Sequence, residues 1–134
     1  MNITCFNDLL AAARGQPQPQ TLLLVFVDVE LPLGASQTER ERFAQGLGGS
    51  LTPRMCVDRK LSEIRDWPSL ATEADQQSSN WQMAMVAALS SEGGTSPNEA
   101  VIQQALNGMV MAIHQGQIQG FVPFDRQGLA VQFD

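Results

Sequence analysis

Residues that commonly carry catalysis are scarce in this sequence: its 134 residues include one histidine, two cysteines and no tyrosine. Cys5 and Cys56 lie far apart, so they predict neither a disulfide framework nor a CxxC metal half-site. Cys56 lies in an apolar string with no base beside it, and we interpret it as a buried thiol. His114 ends a predicted helix, where a surface position is typical. The sequence therefore predicts no metal and no cofactor, and it does not favour an enzyme.

Positive charge is sparse as well. Eight Lys and Arg against fourteen Asp and Glu give a net charge of −6, and the basic residues are scattered along the chain. Nucleic acids and anionic membranes require a concentrated positive face, so neither is an expected partner. The longest apolar run, residues 22–27, is too short to cross a bilayer, and the N-terminus does not resemble a secretory signal. We expect a cytoplasmic protein.

What the sequence does contain is a regular alternation of helical and strand patterns. The predicted helices cover residues 5–14, 36–47, 67–75 and 97–115, with Thr4, Ser36 and Ser96 as expected N-caps. The predicted strands cover residues 21–30, 51–58, 81–90, 120–125 and 129–133. Because residues 21–30 are almost continuously apolar, we expect them to form a central strand that is covered on both faces.

This order predicts one layered domain over residues 1–134. We assign it to the α/β class, with α+β as the alternative. The expected architecture is a mixed sheet of about five strands with crossover helices and a C-terminal antiparallel hairpin. The hairpin would join residues 120–125 to residues 129–133 and lie at an edge of the sheet. Its outer side could then pair with a second copy or with a partner strand.

A Gly-rich segment, residues 90–96, joins a predicted buried strand to the start of the longest predicted helix. Backbone N–H groups at a helix start favour anions, so the segment is a candidate ligand site. An ordinary flexible connection before a capped helix is the alternative, and Glu92 would repel an anion. The candidate ligand-binding residues in this segment are Ser91, Gly93, Gly94, Thr95 and Ser96.

Carboxylates at predicted strand ends form a second candidate. Asp28 and Glu30 lie two residues apart on one strand face, and Asp58 closes the next strand. If the strand ends converge, these side chains could bind Mg²⁺ or act in acid/base chemistry beside the Gly-rich segment. Solvated polar residues at strand ends are the alternative, and no further motif indicates a metal.

Four segments, residues 3–20, 48–58, 86–94 and 120–128, resemble a small family of bacterial proteins of about this length. Some members of that family are labelled ribonucleotide reductase subunit alpha. Such a subunit is a large barrel enzyme that uses a thiyl radical and a further redox pair of cysteines, whereas this chain has two cysteines in all. The resemblance therefore implies at most a regulatory association with nucleotide reduction.

Two functions follow as hypotheses. The first is a small acidic, non-enzymatic protein-interaction or regulatory domain that self-associates or binds a protein partner, with the C-terminal hairpin as the interface. The alternative is a small-molecule or anion-binding protein, or an enzyme, that uses the segment 90–96 with Asp28 or Asp58 nearby.

Overall fold

The computed structural model describes residues 2–30, 34–45, 50–91 and 96–131. These residues form four α-helices, four strands and one 3₁₀ turn at Leu61–Glu63. The helices are α1 (Phe6–Arg14), α2 (Gln37–Ala44), α3 (Trp67–Gln77) and α4 (Glu99–His114). The strands are β1 (Gln20–Glu30), β2 (Ser50–Lys60), β3 (Met83–Ser90) and β4 (Val122–Asp125).

The four strands form one sheet in the order β2-β1-β3-β4, and each neighbouring pair is antiparallel. β1 is central, as predicted, because its apolar residues supply both faces. Leu22, Leu24 and Phe26 point to one side, and Leu23, Val25 and Val27 point to the other. All six are at most 2% exposed, so β1 contributes to two separate apolar layers.

Each face of the sheet is covered by helix. On one face, α1 and α3 cover β1 and β3, and most of the aromatic residues lie there. On the other face, α4 packs Leu106, Met109 and Ile113 against Met83, Met85 and the second side of β1. The larger aromatic layer comprises Phe6, Phe26, Trp67, Trp81 and Phe124. Helices and strands thus form an α+β arrangement around an antiparallel sheet.

The prediction of a mixed sheet is wrong for the described strands. A connection that contains a helix was expected to return the chain in parallel, but β1 and β2 are antiparallel. The helix in that connection, α2, begins with the expected capping box of Ser36 and Glu39, yet it buries none of its side chains. A helix that covers no sheet face does not impose a crossover. The predicted crossover layout is therefore not confirmed.

The predicted fifth strand is also not confirmed. Residues 129–131 follow β4 back along the sheet, with single bridges at Leu129 and Ala130 in place of a continuous strand. Val131 N–H donates to the Pro123 carbonyl at 2.9 Å, so the chain does reverse here as a hairpin would. Residues 132 and 133 of the prediction lie outside the described residues.

Two predicted helix caps differ from the observed ones. Cys5, and not Thr4, occupies the N-cap of α1, and Thr4 donates its backbone N–H and its hydroxyl to the Asp8 carboxylate. Asn98, and not Ser96, occupies the N-cap of α4, where its side chain accepts a backbone N–H from the first turn. A chain that contains several Ser, Thr and Asn residues before a helix offers several caps, and the sequence pattern does not distinguish between them.

Asp66 is the N-cap of α3, and its carboxyl leads to a prediction about the stability of the protein in acid. Its Oδ1 accepts the Ser69 N–H at 2.8 Å, and this bond lowers the pKa of the carboxyl below its ordinary value. A lowered native pKa contributes stability above the unfolded-state pKa, and this contribution is lost as the pH falls through the native pKa, below about pH 4. Asp8 is shifted in the same direction by Thr4.

We therefore expect Asp66→Asn to reduce the loss of stability on acidification. Asparagine keeps an oxygen at the N-cap but does not titrate. Urea unfolding at pH 6 and pH 3 measures the loss for the wild type and the variant. An identical loss in the two proteins would contradict a titrating cap at Asp66.

Candidate functional site

The structure does not bring the predicted strand-end residues together. In the β1–β2 register Asp58 lies opposite Leu23, whereas Asp28 lies beside Thr52. The two positions on β1 are five residues apart, which is roughly 17 Å along the strand. Ser91 follows the residue that pairs with Gln20 and therefore lies at the Asp58 end of the sheet. A single site that uses Asp28 together with Ser91 does not fit this geometry.

The Asp28 carboxylate already has partners. Its Oδ1 accepts the Val29 N–H at 2.8 Å and the Gln82 side chain at 2.9 Å. Its Oδ2 lies 3.3 Å from Arg54 Nη2, and the same guanidinium pairs with Glu30. Arg54 is the extra residue of a β-bulge, since Phe26 and Val27 pair with Met55 and Pro53 on either side of it. These bonds hold the end of β1 to the bulge of β2.

The Gly-rich segment is described only at its two ends. Ser91 is 3% exposed, and its N–H donates to the Pro19 carbonyl at 2.9 Å. Ser96 is exposed and precedes the Asn98 cap. Gly93, Gly94 and Thr95 lie outside the described residues, so their proposed role stays a prediction.

A pocket of about 340 Å³ lies near the Ser91 end of the sheet, between α1, β3 and the start of β4. Most of its lining residues are apolar, with Ala12, Ala88 and Val122 among them, and Gln16 and Gln20 are the polar ones. Gln20 is the buried polar group there, and its Nε2 donates to Ser90 Oγ at 2.8 Å. The sequence did not indicate this pocket, because its lining comes from four separate segments.

A second depression, which we call the β2–α3 groove, has a volume of about 380 Å³. Phe26, Leu70 and Ala74 are buried residues of its lining, and Met55 and Val57 of β2 are partly buried there. Polar side chains complete the lining: Arg59, Glu73, Gln76 and Gln77. Arg59 Nη2 lies 3.4 Å from Glu73 Oε2, and both side chains are substantially exposed. The groove thus combines an apolar floor with a solvated polar rim.

The groove borders the outer edge of β2, which is the longest exposed feature of the sheet. β2 has eleven residues, none of them buried, and no strand within the described ranges pairs with its outer side. Its side chains alternate: Met55, Val57 and Arg59 face the groove, whereas Cys56 is exposed on the opposite face. The outer edge leaves backbone N–H and C=O groups available to another strand.

The interpretation of Cys56 as a buried thiol is wrong, because Cys56 is exposed at this edge. Partial burial still raises the pKa of its thiol above the ordinary value. A raised pKa keeps the thiol protonated at neutral pH, which is the opposite of an activated nucleophile. His114 is exposed, as predicted.

The other sheet edge is less accessible than the sequence predicted. The N-terminal segment lies along the outer side of the C-terminal reversal: Cys5 forms a bridge with Leu129. Ala130 N–H donates to the Thr4 carbonyl and Phe6 N–H donates to the Gly128 carbonyl, at 2.9 and 2.8 Å. These bonds occupy backbone groups that the predicted hairpin interface would need.

Across the described part of the chain, no group of three or more His, Cys, Asp or Glu side chains could hold a metal ion. No helix in the described ranges has the length and hydropathy to cross a bilayer. Comparison with protein-family models, with curated proteins and with solved structures finds no match for this chain. The function is therefore inferred from its own residues, and the bacterial family resemblance stays a prediction.

Proposed function

We propose that this chain is a non-enzymatic protein-interaction domain that binds an extended segment of another chain along β2. The observation that carries the proposal is the outer edge of β2, an eleven-residue strand with no strand beside it among the described residues. Addition of a strand to a sheet edge supplies main-chain hydrogen bonds, and neighbouring pockets that take alternate side chains supply specificity.

The β2–α3 groove provides such a pocket. Met55 and Val57 alternate with residues on the opposite face of the sheet. A strand added beside β2 would therefore direct every second side chain to the groove side of the sheet. Apolar side chains at these positions would cover Met55 and Val57, which are only partly buried in the chain alone. An extended partner with alternating apolar residues fits this surface best.

Two features limit which part of β2 can pair with a partner strand. Pro53 has no N–H to donate, and the bulge at Arg54 interrupts the regular edge. Both are devices that protect sheet edges from unwanted pairing. They lie in the first half of β2, so the proposed binding segment is the regular half, residues 55–60.

The test uses Cys56→Lys, which places a charge at the centre of the proposed segment. Cys56 is exposed, so the lysine can reach solvent without disturbing the core. A lysine in an edge strand opposes the addition of a further strand. The matched control is Gln103→Lys, which adds the same charge on the exposed surface of α4.

We expect native mass spectrometry of the protein, purified from its own host, to show a second polypeptide on the wild type and on Gln103→Lys. The Cys56→Lys variant should not retain this second polypeptide. Retention of the same polypeptide by all three proteins would contradict β2 as the binding surface.

A second candidate function is binding of a small molecule in the pocket beside Gln20. The observation that favours it is the buried Gln20 amide, which bonds the Ser90 hydroxyl at the wall of a mostly apolar pocket. A non-peptide ligand retained in the native mass spectrum, and retained equally by Cys56→Lys, would support this function in place of the interaction domain.

A further inference from the structure

We infer that the pocket beside Gln20 binds a neutral organic molecule of roughly ten non-hydrogen atoms, with an apolar ring body and an N–H or O–H group that donates to Gln20 Oε1. The inference rests on the second candidate function and names the class of ligand. The pocket shares no lining residue with the β2–α3 groove. Binding in the pocket and binding along β2 can therefore be tested separately.

The pocket exists because short side chains line it from both sides. The helix α1 contributes Ala12 and Ala13, and the segments beneath it contribute Ala88 and Gly120. Protein interiors otherwise leave few voids larger than a water molecule. Side chains as short as these leave space between the helix and the sheet that a ligand can fill.

The Gln20 amide is oriented by its own hydrogen bonds. Its Nε2 donates to the Gln18 carbonyl at 3.0 Å and to Ser90 Oγ at 2.8 Å. Because a backbone carbonyl can only accept, the amide nitrogen, and not Oε1, must face Gln18. Both amide hydrogens are thus used, and no group within the described ranges donates a hydrogen bond to Oε1.

Oε1 is the hydrogen-bond acceptor that Gln20 offers to a ligand. Gln20 is only 8% exposed, and it lines the pocket. Among the residues that the structure describes, no side-chain polar atom is both shielded from solvent and without a partner, so Oε1 must contact solvent. The pocket is the open space beside this buried residue. A ligand that displaces the solvent there must supply a donor of its own, because a buried acceptor without a partner is costly.

The lining also restricts the charge and the size of the ligand. The described residues of the lining include no Asp, Glu, Lys, Arg or His. A charged group placed there would lose its hydration without gaining an opposite charge. A cavity of about 150 Å³ can hold benzene. The pocket, at about 340 Å³, therefore has room for a fused pair of rings against Leu22, Val86 and Val122.

Indole and benzofuran separate the contribution of the donor from that of the apolar body. The two molecules have nearly the same shape, but benzofuran has a ring oxygen where indole has an N–H. We expect indole to bind the full-length chain with millimolar affinity or better in an NMR titration, and to shift the side-chain amide signals of Gln20. Benzofuran should bind about tenfold or more weakly, since it leaves Oε1 without a donor.

Ala12→Leu tests where the ligand binds. The larger side chain would occupy the pocket, and leucine is a good helix former. The matched control is Ala11→Leu, the same substitution at the neighbouring, exposed position of α1. We expect the control to bind indole as the wild type does, and Ala12→Leu to bind it about tenfold or more weakly. Ala88→Leu fills the pocket from the sheet side and should act in the same way, so the test does not depend on the folding of one variant.

Three results would overturn the inference. They are no saturable NMR shifts at millimolar indole, equal affinity for indole and benzofuran, and wild-type affinity for indole in both Ala12→Leu and Ala88→Leu. The second candidate function fails separately. It stands if another non-peptide ligand, retained from the host, is released by these two substitutions, and it falls if both variants retain that ligand. Binding along β2 is judged by Cys56→Lys alone, and that variant should bind indole as the wild type does.

Discussion

Gly128→Ala is expected to destabilise the protein by about 3 kcal/mol or more. Gly128 has φ of +80°, which L side chains rarely adopt, and an added Cβ would lie 2.7 Å from Trp67 Cγ. The indole has little room to move away, because Trp67 is 5% exposed and its Nε1 donates to the Arg126 carbonyl at 2.8 Å. A loss of this size is a large part of a typical stability of roughly 5–15 kcal/mol.

Gly116→Ala is the matched control for this prediction. Gly116 has φ of +73°, but an added Cβ there would have no neighbour within 4 Å. The control therefore measures only the backbone term, about 1 kcal/mol. Urea unfolding of the wild type and of both variants measures how much more Gly128→Ala lowers the free energy of unfolding than Gly116→Ala does. Equal destabilisation would contradict the close approach of Gly128 to Trp67.

Trp81→Ala is expected to destabilise the protein by about 4 kcal/mol, because it leaves a large cavity in the aromatic layer. Trp81 is 1% exposed and packs edge-on against Phe26, with ring centroids 4.9 Å apart. Its Nε1 donates to Asp75 Oδ1 at 3.0 Å, and the Arg126 guanidinium lies 4.2 Å from its ring centroid. Arg126 in turn bonds both Asp75 carboxylate oxygens at 2.9 Å.

Trp81→Phe separates the contribution of ring packing to stability from that of the hydrogen bond to Asp75. Phenylalanine keeps an aromatic ring in the layer but lacks the N–H that Asp75 accepts. We expect it to lose clearly less stability than Trp81→Ala in urea unfolding. If the alanine variant lost less than about 1 kcal/mol, Trp81 would not be the core residue that the structure indicates.

The order of helices and strands could be predicted because local patterns determine it. The unbroken apolar run in β1 indicated burial on both faces, and the Ser36 capping box marked the start of α2. Strand direction could not be predicted in the same way. It depends on where each connection returns the chain in the sheet: β1 and β2 are antiparallel across α2, which buries no side chain, and β3 and β4 are antiparallel across α4, which covers a sheet face.

The candidate site was harder to predict than the fold, since cross-strand register determines it. Asp28 has a side chain that is common in ligand-binding sites. The bulge in β2, however, brings the Arg54 guanidinium to its carboxylate across the sheet. Cys56 lies in an apolar string, but β2 is an edge strand and the sheet face that carries Cys56 is incompletely covered there, so the thiol is exposed. Neither outcome could be derived without knowing that β2 pairs on one side.

Hydrogen exchange tests the central claim, that β2 is where another strand adds, most directly. The complex isolated from its host is compared with the same chain after dissociation and dilution, and the deuterium uptake of each segment is read by mass spectrometry. We expect slower exchange in the complex at residues 55–60, because added main-chain hydrogen bonds protect amides there. Unchanged exchange at residues 55–60, with protection at residues 129–131 or around Gln20, would contradict the claim.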